Sequence, residues 1–205
     1  MKDIFFITGT DTGVGKTHVA CRLLQQAAQA GRQTLGLKPV AAGAQYARNE
    51  DALLLQQAST VSLPYAQINP YCFDDPIAPH LAAAKQGAVL SASDIAQHVQ
   101  QVIATTSADY VVIEGAGGWL VPLNERETLA DVACRLNVPV ILVVGMKLGC
   151  LNHALLTASA IRDDGLTLAG WVANAWGQPM SALDANIATL EQRLRAPQMR
   201  VPYKV

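Results

Sequence analysis

Apolar and mixed stretches alternate along the chain and predict a regular succession of strands and helices. Continuous apolar runs, such as those before Glu114 and Gly145, are typical of parallel strands buried on both faces. Strands are predicted at Ile4–Thr8, Thr34–Lys38, Tyr110–Glu114, Val140–Gly145 and Leu168–Asn174. Helices are predicted at Lys16–Ala30, Asp51–Ala58, Ser93–Thr105, Leu129–Leu136, Asn152–Arg162 and Ala182–Leu194. This order predicts an α/β fold with a doubly wound, mostly parallel sheet and helices on both faces, whose ligands bind beyond the carboxyl ends of the strands.

The stretch Leu63–Pro79 has little periodicity and contains several prolines. We predict a long loop there, and long loops in compact domains often carry function. Ser91 and Ser93 are candidate N-caps for the helix that follows. The length of 205 residues, without an internal repeat or linker, predicts a single domain over residues 1–205.

The first strand runs directly into a glycine-rich loop that ends in Gly15-Lys16-Thr17. In such a loop the backbone N–H groups surround phosphate oxygens, the lysine reaches the terminal phosphates and the threonine hydroxyl holds magnesium. The positive end of the following helix faces the same anion. Thr10 occupies the place of the first glycine of the usual pattern, and Gly9 lies one residue early. The strand–loop–helix context favours a P-loop NTPase type of fold over a glycine-rich turn without a ligand.

Composition narrows the class of protein further. Hydrophobic residues make up 51% of the chain, yet no apolar run reaches the length of a membrane span. The segment Met1–Ile4 leads directly into the first strand and does not resemble a signal peptide. The four cysteines lack C-x-x-C spacing and indicate reduced thiols of a cytoplasmic protein. A net charge of −1 without a basic block argues against nucleic acid as a partner.

Three charged residues lie at the ends of predicted strands or at the start of a predicted helix. Glu114 ends a buried strand beside the phosphate loop, where such folds hold magnesium, although an ordinary exposed acid is the alternative. Lys38 ends the second strand, where it could neutralise a transferring phosphoryl group or bind an anion, or lie on the surface. Asp51 is either a second magnesium carboxylate or a helix N-cap.

Ordered motifs over nearly the whole chain resemble the dethiobiotin synthetase family. They are Thr8-Gly9-Thr10-Asp11-Thr12 with Val14-Gly15-Lys16-Thr17, Lys38-Pro39-Val40-Ala41, Asp51-Ala52-Leu53, Asn69-Pro70-Tyr71, Val112–Trp119, Lys147–His153 and Leu168–Asn174. The resemblance implies an enzyme that closes a cyclic urea from 7,8-diaminononanoate, CO₂ and MgATP. One amine captures CO₂ as a carbamate, the carbamate takes the γ-phosphate of ATP, and the second amine attacks this mixed anhydride and expels phosphate.

The resemblance also implies roles for individual residues. Lys16, Lys38 and Thr12 would act on the carbamate and the transferred phosphoryl group, and Thr17, Asp51 and Glu114 would hold Mg²⁺. The nucleotide would contact Gly13, Val14, Gly15, Lys16, Thr17, His18, Asp51, Glu114, Gly115, Ala116, Gly117, Asn174, Pro202 and Tyr203. In the family two identical subunits share the substrate, and the acid tail meets a helix start of the other subunit. The matching substrate residues are Ala42, Gly149, Cys150, Leu151 and Asn152. We interpret His153, in the same helix start, as structural.

Several positions depart from the family pattern. Gly13 stands where many members carry an acid, Ala42 where a serine often helps to hold the substrate, and Asn186 about where some relatives carry a tyrosine. The family usually continues after the Val201–Tyr203 segment, whereas this chain ends at Val205, so we expect loose selectivity for the nucleotide base.

Two other classes share this fold. Nucleotide switches of the partition and cell-division type carry a second lysine early in the loop, where this chain has Asp11. Ligases that amidate a carboxylate through an acyl phosphate usually carry an added glutamine-hydrolysing domain. The switch is the stronger alternative.

Overall fold

The computed structural model describes residues 2–175 and 180–201. This part of the chain contains seven strands and eight helices. In order they are β1 (Asp3–Gly9), α1 (Lys16–Gln29), β2 (Thr34–Leu37), β3 (Val40–Ala42), α2 (Glu50–Ala58), α3 (Tyr65–Ile68), β4 (Tyr71–Phe73), α4 (Pro79–Lys85), α5 (Ala92–Thr105), β5 (Tyr110–Glu114), α6 (Leu129–Leu136), β6 (Val140–Gly145), α7 (Cys150–Asp163), β7 (Leu168–Asn174) and α8 (Leu183–Leu194).

Five strands form the central sheet, in the spatial order β2-β5-β1-β6-β7, and every neighbouring pair is parallel. All five predicted strands are confirmed, with boundaries that differ by at most one residue. Because these strands are parallel and β5 lies between β2 and β1, the carboxyl ends of all three meet at one edge of the sheet. That edge is where open α/β sheets bind ligands.

The sheet buries both of its faces, as the continuous apolar runs predict. Phe6 and Leu142 pack in a core shared with α5, α6 and α7. Their neighbours in sequence, Ile7 after Phe6 and Ile141 before Leu142, pack on the opposite face in a core shared with α1. Side chains of successive strand residues alternate between faces, so a strand covered on both sides must be apolar throughout. The doubly wound α/β prediction is confirmed.

A second, two-stranded parallel sheet of β3 and β4 was not predicted. The prediction of a long loop at Leu63–Pro79 is wrong, because this stretch contains α3 and β4 and reaches the first residue of α4. Each of these strands is three residues long. Such segments are too short to show a period, which is why the pattern missed them.

The helix ends agree with the sequence signals in most cases. Ser91 is the N-cap of α5, since its hydroxyl accepts the Asp94 N–H at 3.3 Å, and Ser93 lies in the first turn. Helix α7 begins at Cys150, two residues earlier than predicted, after Gly149 at φ +93°. Within the described residues no helix is both long enough and apolar enough to span a membrane.

Candidate active site

The glycine-rich loop between β1 and α1 closes tightly on itself. A Cβ at Gly9 would lie 2.6 Å from Cγ2 of Val14, so the close approach occurs at Gly9 and requires glycine there. Thr10 donates its backbone N–H to the Val143 carbonyl at 3.0 Å, and its hydroxyl accepts the Gly145 N–H at 3.3 Å. The side chain of Thr10 thus ties the loop to β6. This contact accounts for the shifted glycine pattern.

Gly15 is the second position at which this loop requires glycine. It has φ +85° and precedes the first residue of α1, and a Cβ there would lie 2.1 Å from Nδ2 of Asn174. The Asn174 amide is buried and donates to the Val14 carbonyl at 2.6 Å. The structure therefore places Asn174 against the loop backbone, where it fixes the loop's shape. Its predicted contact with adenine stays a prediction.

Lys38, Glu114, Asp51 and Thr17 meet at the carboxyl ends of β2 and β5. The Lys38 ammonium donates to Glu114 Oε1 at 2.6 Å, to Asp51 Oδ2 at 3.1 Å and to the Gly115 carbonyl at 3.2 Å. The Thr17 hydroxyl donates to the same Glu114 oxygen at 2.9 Å. Strand ends and the P-loop helix together bring these side chains into one hydrogen-bonded cluster.

The alternatives of a surface position for Glu114 and Lys38 and of an N-cap role for Asp51 are wrong. Glu114 is fully buried and Lys38 is 3% exposed, so neither is an ordinary surface residue. Asn49, not Asp51, is the N-cap of α2, and its side chain accepts the Ala52 N–H at 3.3 Å. Asp51 in the first turn is thus free of a capping role, and its carboxylate faces Lys38.

The two lysines of the site have opposite pKa shifts. Burial, and secondly the charge of Lys38, lowers the pKa of Lys16 to about 8. Burial acts to lower the pKa of Lys38 as well, but the carboxylates of Glu114 and Asp51 outweigh this effect of burial. The pKa of Lys38 is therefore raised. Burial acts to raise the pKa of Asp51, yet Lys38 and the Thr17 hydroxyl lower it overall. The two carboxylates therefore favour the charged form of Lys38, whereas burial favours the neutral form of Lys16 at mildly basic pH.

These groups face a cavity of about 1000 Å³. Its volume is at the upper end of the range for small-molecule sites. The predicted site residues that line it are Thr12, Gly13, Gly15, Lys16, Thr17, His18, Lys38, Ala42, Asp51, Glu114, Ala116 and Gly117. Most of the site residues predicted from separate motifs thus lie together in the wall of one cavity.

Other predicted site residues lie outside this wall. Val14 is buried, and Gly115 lies behind the wall with its carbonyl on Lys38. The Gly149–Asn152 segment begins α7 and does not line the cavity of its own chain. Lys147, just before it, pairs with Asp11 of the loop at 2.7 Å. Pro202 and Tyr203 lie outside the described residues.

The cavity has further lining residues that the sequence analysis missed. They come from α1, from the start of α2 and from the turn before α4, and are Cys21, Asn49, Glu50, Leu54, Pro76, Ile77, Ala78 and Pro79 among others. The proline-rich turn belongs to the stretch flagged as a functional loop, so that signal was available. For Asn49 the available signal was its residue type, which is favoured at N-caps, two residues before the predicted helix start at Asp51.

The donor set is compatible with a magnesium ion. Glu114 Oε2 is buried and has no hydrogen-bond partner among the described residues, although Oε1 has two. No group of three or more His, Cys, Asp or Glu within residues 2–175 and 180–201 is arranged to hold a metal. Mg²⁺ at nucleotide sites usually needs one or two carboxylates, substrate phosphates and water. Glu114, Asp51 and Thr17 provide such a partial set.

Fold and site together define a P-loop nucleotide-binding protein. The protein family described as an AAA domain matches residues 3–203. The chain is 54% identical over 200 residues to the ATP-dependent dethiobiotin synthetase BioD of Cellvibrio japonicus, with 96% of this chain and 87% of that protein covered. The proteins of the same name from Pseudomonas paraeruginosa and Pseudescherichia vulneris are 53% and 49% identical, covering 97% and 96% of this chain and 89% and 83% of theirs. The chain belongs to the ATP-dependent dethiobiotin synthetase family.

Solved structures show the same fold at low sequence identity. Chloroplast FtsY from Physcomitrella patens has a TM-score of 0.57 at 18% identity, covering 97% of this chain and 57% of that one. FtsY from Elizabethkingia anophelis with GDP has a TM-score of 0.59 at 15% identity, covering 100% and 58%. These likenesses concern the fold alone. The alternative of a nucleotide switch is not favoured, since the relatives near 50% identity are named synthetases.

Proposed function

We propose that the chain carboxylates 7,8-diaminononanoate with CO₂ and closes the ring to dethiobiotin, converting ATP to ADP and phosphate. The observation that carries this proposal is one cavity containing a P-loop lysine, Lys16, and a second buried lysine, Lys38, held between two carboxylates. Carbamate phosphorylation places several negative charges close together. Two buried cations and the backbone N–H groups of the glycine-rich loop stabilise such charge without a covalent intermediate on the protein.

The reaction proceeds in three steps. One amine of the substrate adds to CO₂ and loses a proton to give a carbamate. A carbamate oxygen attacks the γ-phosphorus of ATP and releases ADP, which gives a carbamic–phosphoric anhydride. The second amine then attacks the carbonyl carbon, loses a proton and expels phosphate, and the ring closes. The protein's task is to position and to neutralise charge.

The residues of the cavity divide this task. Lys16 Nζ, now 3.3 Å from the Asp11 carbonyl, would turn to the phosphates and the carbamate. Lys38 would neutralise the carbamate and the transferred phosphoryl group, and Thr12 with the loop N–H groups would contact the carbamate. Thr17, Asp51 and Glu114 would hold Mg²⁺, directly or through water. When bound, the ion would neutralise charge on the β- and γ-phosphates.

We also propose that the active form is a homodimer with the substrate across the interface. The start of α7 lies outside the wall of its own chain's cavity, which is compatible with a role in the neighbouring subunit. The Cys150 N–H donates to the Lys147 carbonyl at 2.9 Å, and Gly149 has no side chain that could cap the N–H groups after it. The N–H groups of Leu151 and Asn152 are therefore suited to receive the substrate's acid tail. A cytoplasmic location stays a prediction.

The direct test is product formation by the purified protein. Dethiobiotin should appear only when ATP, Mg²⁺, bicarbonate and 7,8-diaminononanoate are all present, with one ADP formed per dethiobiotin. Omitting the diamine should abolish most ATP turnover. ATP hydrolysis that is indifferent to the diamine, with no dethiobiotin formed, would instead favour a nucleotide switch.

A further inference from the structure

The Asn69-Pro70-Tyr71 motif has no role in the site described so far. Asn69 is 3% exposed and does not line the cavity. Its amide Nδ2 donates to the Lys38 carbonyl at 2.6 Å and to the Tyr71 carbonyl at 3.3 Å. A buried side-chain donor therefore holds the backbone of the residue that bears the central cation of the site.

The other end of the same amide leads to α2. Asn69 Oδ1 accepts the Tyr65 hydroxyl at 2.9 Å, and the same hydroxyl oxygen accepts the backbone N–H of Asn49 at 2.7 Å. Burial raises the pKa of Tyr65 to about 12, so the phenol keeps its proton over the working pH range. The phenol thus joins Asn69 to the residue that caps α2.

Asn49 completes the connection. Its side-chain oxygen accepts the Ala52 N–H, and its amide donates to the Ala42 carbonyl at 3.5 Å. Asp51 lies in the helix turn that Asn49 caps. A chain of side-chain hydrogen bonds therefore links the backbone of Lys38 to the turn that presents Asp51, while the two charged groups meet at 3.1 Å.

We propose that Tyr65, Asn69 and Asn49 form a clamp that positions Lys38 against Asp51 for phosphoryl transfer. Backbone bonds from Lys38 N–H to the Ile68 carbonyl and from Tyr71 N–H to the Pro39 carbonyl already join β2's end to the α3–β4 segment. They do not reach α2, so the phenol provides the link that they lack. Tyr65 and Asn69 are positioning residues that do not contact the reactants. This inference rests on the proposed function.

Removal of the phenol hydroxyl tests the clamp. Tyr65→Phe leaves the Asn49 N–H and Asn69 Oδ1 without their partner, so Lys38 and Asp51 should lose their fixed separation. Small misplacements of a reacting group are costly, and we expect kcat to fall on the order of tenfold to a hundredfold. The KM for ATP should change by less than about threefold, because the P-loop contacts stay in place.

Two further variants distinguish positioning from stability. Tyr71→Phe is the matched control, since Tyr71 contacts Asn69 through its backbone carbonyl and its hydroxyl has no hydrogen bond within residues 2–175 and 180–201, and it should keep wild-type kcat. Asn69→Ser removes the donor to Lys38 but leaves the phenol on Asn49, and it should reproduce the loss in kcat. Because both changes break one chain of bonds, the Tyr65→Phe/Asn69→Ser double variant should be no slower than the worse single variant.

The measurements distinguish failure of the clamp from a loss of stability and from failure of the proposed function. All rates are measured below the melting temperature of each variant, so that only folded enzyme is compared. Unchanged kcat in folded Tyr65→Phe and Asn69→Ser, with only a lower Tm, would overturn the clamp, as would multiplicative losses in the double variant. Wild-type dethiobiotin synthesis is measured first. An inactive wild type counts against the proposed function, whereas an active wild type with unimpaired variants counts against the clamp alone.

Discussion

Lys16 and Lys38 show how neighbouring groups decide the chemistry of identical side chains. Both are buried in one cavity, yet Lys38 has two carboxylate partners and Lys16 has a backbone carbonyl at 3.3 Å. The pKa of Lys38 is raised and that of Lys16 falls to about 8. The buried charge of Lys16 destabilises the folded protein while no anionic ligand is bound, and binding of such a ligand would offset this cost.

Replacement of Lys16 should therefore stabilise the ligand-free protein. With a folded pKa of about 8 against an ordinary value of 10.5, charge burial costs stability fully below pH 8, and the cost vanishes as pH rises towards 10.5. Lys16→Met should raise the free energy of unfolding at pH 7 by about 1–3 kcal/mol, and the gain should shrink by pH 10. Turnover should fall roughly a thousandfold or more.

Urea unfolding without nucleotide measures the stability change at both pH values. Lys85→Met is the matched control, because the Lys85 side chain is 63% exposed and pairs with Asp75 at the surface. It should shift stability by less than about 0.5 kcal/mol. A Lys16→Met protein less stable than wild type at pH 7, or one that retains a tenth of wild-type turnover, contradicts the assignment.

Glu114 gives a second prediction, since one of its oxygens holds Lys38 and the other is buried without a partner among the described residues. Glu114→Gln keeps the shape but removes the charge. We expect turnover to fall and the Mg²⁺ concentration for half-maximal rate to rise at least about tenfold, because a hard cation prefers carboxylate oxygen. The exposed Glu191→Gln on α8 is the control. A Glu114→Gln titration that overlays wild type would remove Glu114 from the metal site.

The element that most constrains the site is the turn between β1 and α1. Gly15 and Gly31 both have positive φ, +85° and +82°, but only at Gly15 would a Cβ meet another group, the Asn174 amide. Gly15→Ala should therefore lose nucleotide binding by a hundredfold or more, roughly 3 kcal/mol. Gly31→Ala carries only the backbone strain, about 1 kcal/mol of stability, and should bind normally.

Equilibrium binding of ADP with Mg²⁺ measures both glycine variants, and urea unfolding reports the strain at each position. Equal affinities of the two variants for ADP would show that the packing of Asn174 against the loop is unimportant for binding.

The same elements show what a sequence can predict. Apolar runs locate the strands, and the rule that carboxyl ends of parallel strands share an edge places Lys38 and Glu114 at the same edge of the sheet. The β3–β4 sheet was not predicted, because strands of three residues are too short to show a hydrophobic period. The Lys38–Glu114 ion pair joins positions 76 residues apart, and the phenol of Tyr65 reaches Asn49 from the start of an unpredicted helix, α3. Such contacts depend on how elements pack, which local patterns do not encode.

For the molecule as a whole, the cavity contains the residues proposed to bind the phosphates and the metal but not the predicted acid-tail site. Gly149–Asn152 begin α7 outside the cavity wall, while Lys147 beside them pairs with Asp11 of the P-loop. The segment is thus attached to one nucleotide loop without lining the same cavity. This arrangement is compatible with a closed two-fold dimer in which each chain completes its partner's site.

Hybrid dimers test that arrangement. Lys16→Ala removes the P-loop cation from a chain's own cavity. Asn152→Trp, at an exposed position in the first turn of α7, should block the N–H groups offered to the partner. Each variant alone should be inactive. After subunit exchange of an equal mixture, half of the dimers are hybrids, and each hybrid has one intact composite site, so about a quarter of wild-type activity should return. The same mixture assayed before exchange is the control. Absence of recovery despite proven exchange would place the whole site within one chain, since two differently damaged chains could then never assemble an intact one.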